Sequence, residues 1–217
     1  MQSCHWRYCM NIKYQMMIGV KIATSLMFPS LVFSEIPDAE QMPASTVLII
    51  DDMEKKNNVL GGKCGVYQRA PSRAMYYKKS DDTGTNSVLT LKYLKKNEGG
   101  PYGNGGWCGY YTVSPEYLDL SDYSKITFRV RAEGADGFKF GVTDKAWEMK
   151  GDSVKVNLKN YLPQGKVTTE WQKAEIPMDE GFVDWELIHA FSFNVEGESF
   201  IEGGKGTIYI DDIKAEK

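Results

Sequence analysis

Aromatic side chains in a glycine-rich segment are the residues of this sequence best suited to chemistry. Trp107 and Tyr111 lie in the phrase GGWCGYY, on either side of Cys108. Side chains alternate between two faces in a strand, so Trp107 and Tyr111 share one face and Cys108 takes the other. If Cys108 is buried, both rings face outward. Flat rings of this kind stack on the apolar faces of sugars; the alternative is that they pack at the rim of the core.

Planar polar groups would complete a sugar-binding site by pairing with neighbouring hydroxyls. Arg129 lies on the strand face opposite Phe128. Its guanidinium therefore either contacts a ligand or is solvated on the outer face, where charged side chains normally lie. Asn194, in a later predicted strand, offers an amide. Both Arg129 and Asn194 are candidate ligand contacts.

Motifs for catalysis are scarce in this sequence. His189 is the only histidine after residue 34, and neither a GxSxG nor an HExxH motif occurs. Asp144 with Glu148 or Glu175 keeps a glycosidase mechanism open, because such enzymes use two acids about 5 to 10 Å apart. No feature singles out either pair. The sequence therefore predicts a binding protein and not an enzyme.

The first 34 residues differ from the rest and indicate export. The apolar run Ile22–Phe33 follows basic residues and ends in Val-Phe-Ser, a pattern typical of a signal peptide cleaved after Ser34. Residues 35–45 include two prolines and are predicted to form a flexible lead-in. The protein is thus expected to be secreted, periplasmic or on the cell surface, with no membrane association after the leader is removed.

The charge balance narrows the class of partner. The formal net charge is -3, and acidic and basic residues are interleaved along the chain. Nucleic acids and anionic membranes attract clustered Lys and Arg side chains, so neither is an expected partner. A polysaccharide or oligosaccharide fits this balance better, and a protein partner stays open.

Two cysteines, Cys64 and Cys108, follow the predicted leader, and both lie in one repeated phrase. GGKCGVY and GGWCGYY each have a glycine pair before the cysteine and a glycine after it, which suggests two neighbouring strands of similar geometry. In an oxidising compartment the two thiols are expected to form a disulfide; the alternative is two buried thiols that never meet. Zinc is not expected, because no CxxC spacing or histidine partner is present.

From Thr46 onward, apolar and polar residues alternate with a period of two, and turn residues interrupt the pattern. The pattern predicts eleven strands, with short helices at Ser114–Leu120 and Asp184–His189. Because no βαβ alternation occurs, it favours one all-β domain over residues 46–217, a two-sheet antiparallel jelly-roll β-sandwich. The first and last strands both run into an Asp pair and are predicted to pair with each other.

Seven short stretches follow one another in the order found in one group of jelly rolls. They are IDDME (50–54), LGG (60–62), LDLSDY (118–123), YLP (161–163), TEWQK (169–173), IPM (176–178) and GTIYIDDI (206–213). In this order the chain resembles galactose-binding-like jelly rolls, in the branch that holds family 11 carbohydrate-binding modules and the complex I intermediate-associated protein 30 family. The resemblance covers Val47 to the C-terminus, and it implies a galactose-binding-domain-like fold and a carbohydrate ligand.

The resemblance also implies where a ligand and a metal ion would bind. In such jelly rolls the strand that ends at Asp144 reaches the binding cleft, which makes Asp144 and Trp147 expected ligand contacts. Many of them hold a structural calcium ion between the first and last strands, and hard oxygen ligands suit that ion. Asp51, Glu54 and Asp211 are the expected calcium ligands; the alternative is that these acids are solvated and screened by lysines.

Sequence and resemblance together predict a secreted, non-catalytic carbohydrate-binding module that docks a glycan on its concave sheet. Trp107, Tyr111, Asp144 and Trp147 are expected to make the main contacts. Two alternatives stay open. One is an envelope protein-interaction or assembly factor, which the complex I relatives imply, and the other is a small glycan-active hydrolase.

Overall fold

The computed structural model describes residues 46–80, 84–96, 98–99, 105–135, 137–178, 183–196 and 204–217. The predicted signal peptide and the lead-in lie outside the described residues. Besides strands, the described residues form one α-helix, α1 (Lys145–Lys150), and a 3-10 turn at Leu158–Tyr161. In this part of the chain no helix has the length and apolar character needed to cross a membrane.

The described residues contain eleven strands. They are β1 (Val47–Asp51), β2 (Cys64–Gln68), β3 (Arg73–Ser80), β4 (Ser87–Leu94), β5 (Cys108–Leu118), β6 (Lys125–Glu133), β7 (Lys139–Asp144), β8 (Val154–Asn157), β9 (Gln172–Pro177), β10 (Ile188–Val195) and β11 (Lys205–Glu216). Each of them coincides with a strand predicted from the alternating pattern, although most of the ends differ by one to a few residues.

The strands form two antiparallel sheets. One has the order β3-β4-β11-β6-β9, with β1 paired to the C-terminal part of β11, and the other has the order β2-β5-β10-β7-β8. This arrangement confirms the predicted all-β, two-sheet jelly-roll class. The predicted pairing of the first and last strands is also confirmed, because Val47 lies opposite Glu216.

The last strand stays amphipathic over its whole length because it contains a bulge. Ile208 and Ile210 face the core, and the alternation would then turn the following apolar residues outward. Asp212 has a positive φ of 56° and adds one residue to β11 relative to β6. The extra residue restores the alternation, so Ile213 and Ala215 are fully buried as well.

The core between the sheets is dominated by phenylalanines. Phe193 lies at its centre, with ring centroids 5.0 Å from Phe128 and 5.5 Å from Phe140. All three are almost completely buried. Because these inward residues alternate with outward ones along β6, β7 and β10, the same strands that fill the core present a second row of side chains to the outside.

The two predicted short helices are wrong. Ser114–Leu118 continues strand β5, because Leu118 pairs with Ile188 on the neighbouring strand, and this tertiary pairing outweighs the local sequence preference. The segment predicted as a helix before His189 instead forms a turn and then enters β10. The α-helix of the structure, α1, follows β7 and ends at Gly151, whose φ of 67° suits glycine.

Candidate functional site

A cleft lies on the outer face of the five-stranded sheet. Its volume is about 610 Å³, within the range of about 300–1,000 Å³ that is usual for ligand sites. It crosses the sheet from β2 at one edge to β8 at the other. The lining residues are Tyr67, Trp107, Tyr111, Thr143, Gly151, Asp152, Ser153, Lys155, Ser192, Asn194 and Glu196.

The aromatic side of the cleft is built by strand alternation in β5. Cys108 and Tyr110 are completely buried, so Trp107 and Tyr111 project outward and line the cleft. The guanidinium carbon of Arg69 lies 5.5 Å from the centre of the Trp107 ring and helps to hold it. The predicted orientation of Trp107 and Tyr111 is therefore confirmed.

A third aromatic residue of the cleft, Tyr67, was missed by the sequence prediction. Tyr67 lies on β2 opposite Gly109 of β5, and its hydroxyl donates a hydrogen bond to Asn194 Oδ1. Burial raises the pKa of Tyr67 well above its ordinary value, so the phenol keeps its proton and remains a donor. The repeated cysteine phrase contained the signal, because Tyr67 follows Cys64 at the same distance as Tyr111 follows Cys108.

The centre of the cleft carries a fixed amide. Asn194 Nδ2 donates to Ser192 Oγ at 3.0 Å and to the Lys139 carbonyl at 3.3 Å. Together with the bond from Tyr67, these contacts hold the amide in one orientation. Asn194 was predicted as a ligand contact, and the structure places it between the aromatic side and the charged side of the cleft.

The opposite side of the cleft is charged and internally paired. Lys155 Nζ lies 2.7 Å from Asp152 Oδ1 and 3.6 Å from Glu196 Oε2, and Lys139 Nζ lies 3.3 Å from Glu196 Oε1. The hydrogen bond from Lys155 lowers the pKa of Asp152 below its ordinary value. Asp152 therefore keeps its charge, and the carboxylate oxygens of both acids have lone pairs that can accept hydrogen bonds from ligand hydroxyls.

Gly141 of β7 lies against two polar side chains of the cleft. A Cβ atom at Gly141 would lie 2.4 Å from Ser192 Oγ and 2.8 Å from Asn194 Nδ2. Only glycine therefore lets these two polar side chains lie against the sheet. The resulting arrangement has aromatic faces at one side, an oriented amide in the middle and carboxylates at the other side.

Comparison with known protein families agrees with this architecture. Residues 67–217 match the family model of carbohydrate binding domain 30, a match that spans more than half of the chain and contains all the residues lining the cleft. The chain belongs to the carbohydrate binding domain 30 family. It is a carbohydrate-binding module with a jelly-roll fold. No curated protein sequence matches the chain.

Three of the solved structures that match the chain are carbohydrate-binding modules from Clostridium thermocellum. The family 11 module of the cellulosomal cellulase Lic26A-Cel5E is 18% identical with a TM-score of 0.58, covering 80% of this chain and 95% of the other. A family 11 module in complex with a β-1,3-1,4-mixed-linked tetrasaccharide is 19% identical with a TM-score of 0.57, covering 80% and 96%. The family 30 module of the cellulase Cel9D-Cel44B is 21% identical with a TM-score of 0.48, covering 71% and 90%. None of these matches is to the complex I family.

Asp144 and Trp147, two of the predicted ligand contacts, do not line the cleft of the module. Asp144 is buried and caps α1, where Oδ1 accepts from the Trp147 N–H at 2.8 Å. Its Oδ2 accepts from the Asp184 N–H, also at 2.8 Å. Trp147 packs on α1 with Lys150 Nζ 4.1 Å from its ring centre. Strand β7 does end beside the cleft, but its last residue, Asp144, caps α1. Both of its carboxylate oxygens accept hydrogen bonds from backbone N–H groups.

Replacing Asp144 by alanine is expected to lower the free energy of unfolding of the module by about 1–2 kcal/mol, the usual cost of losing an N-cap. Asp144→Asn should retain part of that stability, because its amide oxygen can still accept the Trp147 N–H bond, whereas its NH2 group cannot accept the Asp184 N–H. Urea unfolding measures both changes. Glycan affinity should stay near that of the wild type in both variants, and a large affinity loss in Asp144→Asn would show that the carboxylate contacts the ligand.

Arg129 lies on the other sheet, so it is remote from the cleft. Its side chain is 45% exposed on the outer face of the six-stranded sheet, 3.6 Å from Asp211 Oδ2. Its guanidinium carbon lies 4.9 Å from the centre of the Trp171 ring. The sequence prediction placed Arg129 on the correct face of its strand, but it could not assign the strand to a sheet.

The predicted calcium ligands do not converge in the module. Asp51 is completely buried, and its two oxygens lie 2.8 and 3.1 Å from Lys78 Nζ. Asp211 accepts from Asn86 at 2.8 Å, and burial raises its pKa. Glu54 is exposed and accepts from a backbone N–H of β4.

These contacts show that the predicted set does not fit a calcium ion. In the described part of the chain, no group of three or more His, Cys, Asp or Glu side chains could hold a metal ion. At Asp51 the ammonium group of Lys78 balances the negative charge of the carboxylate. Calcium binding by the module stays a prediction, but Asp51, Glu54 and Asp211 no longer serve as its ligand set.

The predicted disulfide between Cys64 and Cys108 is wrong. Both cysteines are free, although β2 and β5 are neighbouring strands, as the repeated phrase suggested. Cys64 lies opposite Thr112, whereas Cys108 lies opposite Gln68. The thiols are therefore four residues apart along the ladder, roughly 13 Å, and a disulfide needs Cα atoms about 4.4–6.8 Å apart.

Reducing agents are therefore expected to leave the urea unfolding midpoint of the module unchanged. Burial raises the pKa of Cys108 to about 12, so its thiol should react with a thiol reagent only after unfolding. Peptide mass analysis without reduction should recover Cys64 and Cys108 as separate thiol peptides. A cross-linked peptide pair, or a midpoint that falls on reduction, would contradict the structure.

Proposed function

We propose that the chain is a non-catalytic module that holds a glycan in the cleft of the five-stranded sheet. The observation that carries the proposal is the composition of this cleft: three aromatic rings face an oriented amide and two carboxylates across one floor. Aromatic faces stack on the apolar faces of pyranose rings, and fixed polar groups select the positions of hydroxyls. The alternative is a groove on the outer face of the other sheet; its volume is about 330 Å³, and Trp171 is the partly exposed aromatic residue among those that line it.

The charge of the cleft favours a neutral glycan. Lys155 is paired with Asp152 and Glu196, and Lys139 is paired with Glu196. No cation of the lining set is therefore left without an acidic partner among the described residues. An anionic glycan would have to break one of these pairs, whereas the hydroxyls of a neutral glycan can add hydrogen bonds to them.

The same ion pairs support a non-catalytic role. Asp152 and Glu196 both contact Lys155 Nζ, so their carboxylates are neighbours, as the two acids of a glycosidase also are. A glycosidase also needs one carboxyl group with a raised pKa, so that it can donate a proton to the leaving group. The pKa of Asp152 is lowered by Lys155. This shift makes Asp152 a poor general acid, and Glu196 is held by two lysines.

An affinity gel containing mixed-linked β-1,3-1,4-glucan tests the proposal first, because the family 11 neighbour was solved with a tetrasaccharide of that linkage. Gels with other neutral and uronic-acid polysaccharides, together with a glycan array, extend the test. The module should be retarded by at least one neutral glycan and release no reducing ends from it. A module that no glycan retards would contradict the proposed function, and release of reducing ends would indicate a hydrolase.

Export is a further part of the proposal. It is supported by the signal-peptide pattern of the first 34 residues. N-terminal sequencing of the protein from its native culture medium or envelope fraction tests it. A mature chain that begins at Glu35 is the expected result.

A further inference from the structure

The repeated phrase Cys-Gly-x-Tyr forms a reciprocal pair across two strands. It occurs once in β2 and once in β5, and the two strands are antiparallel neighbours. In their register Gly65 lies opposite Tyr111, and Tyr67 lies opposite Gly109. Each tyrosine therefore faces the glycine of the other copy of the phrase.

The glycines allow each ring to lie across the partner strand. A Cβ atom at Gly65 would lie 2.6 Å from the Tyr111 hydroxyl oxygen and 2.8 Å from its Cζ. At Gly109 the corresponding distances to Tyr67 are 2.4 and 2.6 Å. Any side chain at either glycine would occupy the space of the ring. Both tyrosines line the cleft, so the rings cover the sheet and form part of the cleft surface.

We infer that Gly65 and Gly109 are positioning residues of the binding site, which hold Tyr111 and Tyr67 in place before a ligand arrives. The inference rests on the proposed function for the nature of the ligand. Rings that are already fixed lose little side-chain freedom on binding, and this loss would otherwise reduce the affinity. The hydrogen bond from Tyr67 to Asn194 ties the second ring to the amide in the middle of the cleft.

Gly65→Ala separates this role from a purely structural one. The closest atoms that the new Cβ would meet all belong to the Tyr111 side chain, so the ring must move while the backbone can stay. Gly109→Ala is less informative, because its Cβ would also meet the Phe193 carbonyl oxygen at 2.3 Å. Tyr111→Ala and the double variant complete a cycle that shows whether Gly65 acts through Tyr111.

Affinity electrophoresis on a retarding glycan should show at least about a tenfold loss of affinity in Gly65→Ala and in Tyr111→Ala. In the Tyr111→Ala background, Gly65→Ala should have no further effect. The urea midpoint of Gly65→Ala should stay close to that of the wild type. Equal affinity of Gly65→Ala and wild type, or additive losses in the double variant, would overturn the inference while leaving the proposed function intact.

If no glycan retards the wild type, the proposed function fails, but the placement of the Tyr111 ring can still be tested. This test is a measurement without ligand. Tetranitromethane nitrates exposed tyrosines, and peptide mass analysis reports the extent at Tyr111. Nitration of Tyr111 should be faster in Gly65→Ala, because the displaced ring leaves the sheet, while nitration of the buried Tyr110 stays slow. An unchanged rate at Tyr111 would show that Gly65 does not position the ring.

Discussion

Replacing Trp107 by alanine is expected to weaken glycan binding about 30-fold or more, which corresponds to roughly 2 kcal/mol and is typical of a central aromatic contact. The indole is the largest ring of the cleft, and strand alternation with the buried Cys108 forces it outward. Affinity electrophoresis or calorimetry on the glycan that retards the wild type measures the loss. The variant should still fold, because Trp107 lies on the outer face of its sheet and not between the sheets.

Trp171→Ala is the matched control for this experiment. Trp171 is also half-buried, and it also stacks with an arginine, but it lies on the outer face of the other sheet beside Arg129. Its removal should leave glycan affinity within about twofold of the wild type, as expected for a residue outside the binding surface. Loss of binding in Trp171→Ala with retention in Trp107→Ala would place the glycan on the six-stranded sheet and contradict the proposed site.

Replacing Lys78 by methionine is expected to produce the largest loss of stability, about 3–5 kcal/mol, which is the usual cost of leaving a buried charge without its partner. The side chains of Lys78 and Asp51 are only 8% and 0% exposed, and the ammonium lies 2.8 Å from the nearer carboxylate oxygen. The Asp51 carboxylate also accepts from the Met53 N–H at 3.0 Å. Urea unfolding followed by tryptophan fluorescence measures the change.

The double variant Asp51→Asn/Lys78→Met tests whether the lost stability comes from charge. It removes both charges, so it should recover a large part of the stability that Lys78→Met loses. A Lys78→Met variant as stable as the wild type would contradict the role of Lys78 as counter-ion. If calcium restored the midpoint of Lys78→Met and a chelator removed that effect, Asp51 would be shown to accept a metal ion once its lysine is absent.

The fold could be predicted from the sequence because its signal is local. Alternation between apolar and polar residues identifies each strand, and an antiparallel sheet with one face on the core repeats that alternation faithfully. The helix α1 gave no such signal, because its six residues include none that is buried. The continuation of β5 to Leu118 was missed for the opposite reason, since it depends on pairing with a strand about 70 residues later in the chain.

The candidate cleft could be predicted only in part. Trp107 and Tyr111 were found because their orientation depends on neighbours in the same strand. Lys155 was missed, since its place in the cleft depends on the order of strands in the sheet, which a single sequence does not encode locally. Tyr67 was missed although the repeated cysteine phrase contained its signal. Arg129 was assigned to the site because alternation along a strand predicts the face on which a residue lies, but not the sheet to which the strand belongs. The disulfide prediction failed for a related reason. The sequence correctly indicated that β2 and β5 are neighbours, but it did not give the register that separates Cys64 from Cys108.

The indole signals of the module give the most direct test of where the glycan binds. Titration with the β-1,3-1,4-mixed-linked tetrasaccharide, or with another oligosaccharide chosen from the array, can be followed in ¹H-¹⁵N spectra, with indoles assigned by single Trp→Phe variants. Binding in the proposed cleft should shift the Trp107 indole signal with saturation while the Trp171 signal stays in place. A saturable shift of Trp171 with a stationary Trp107 would contradict the proposed site.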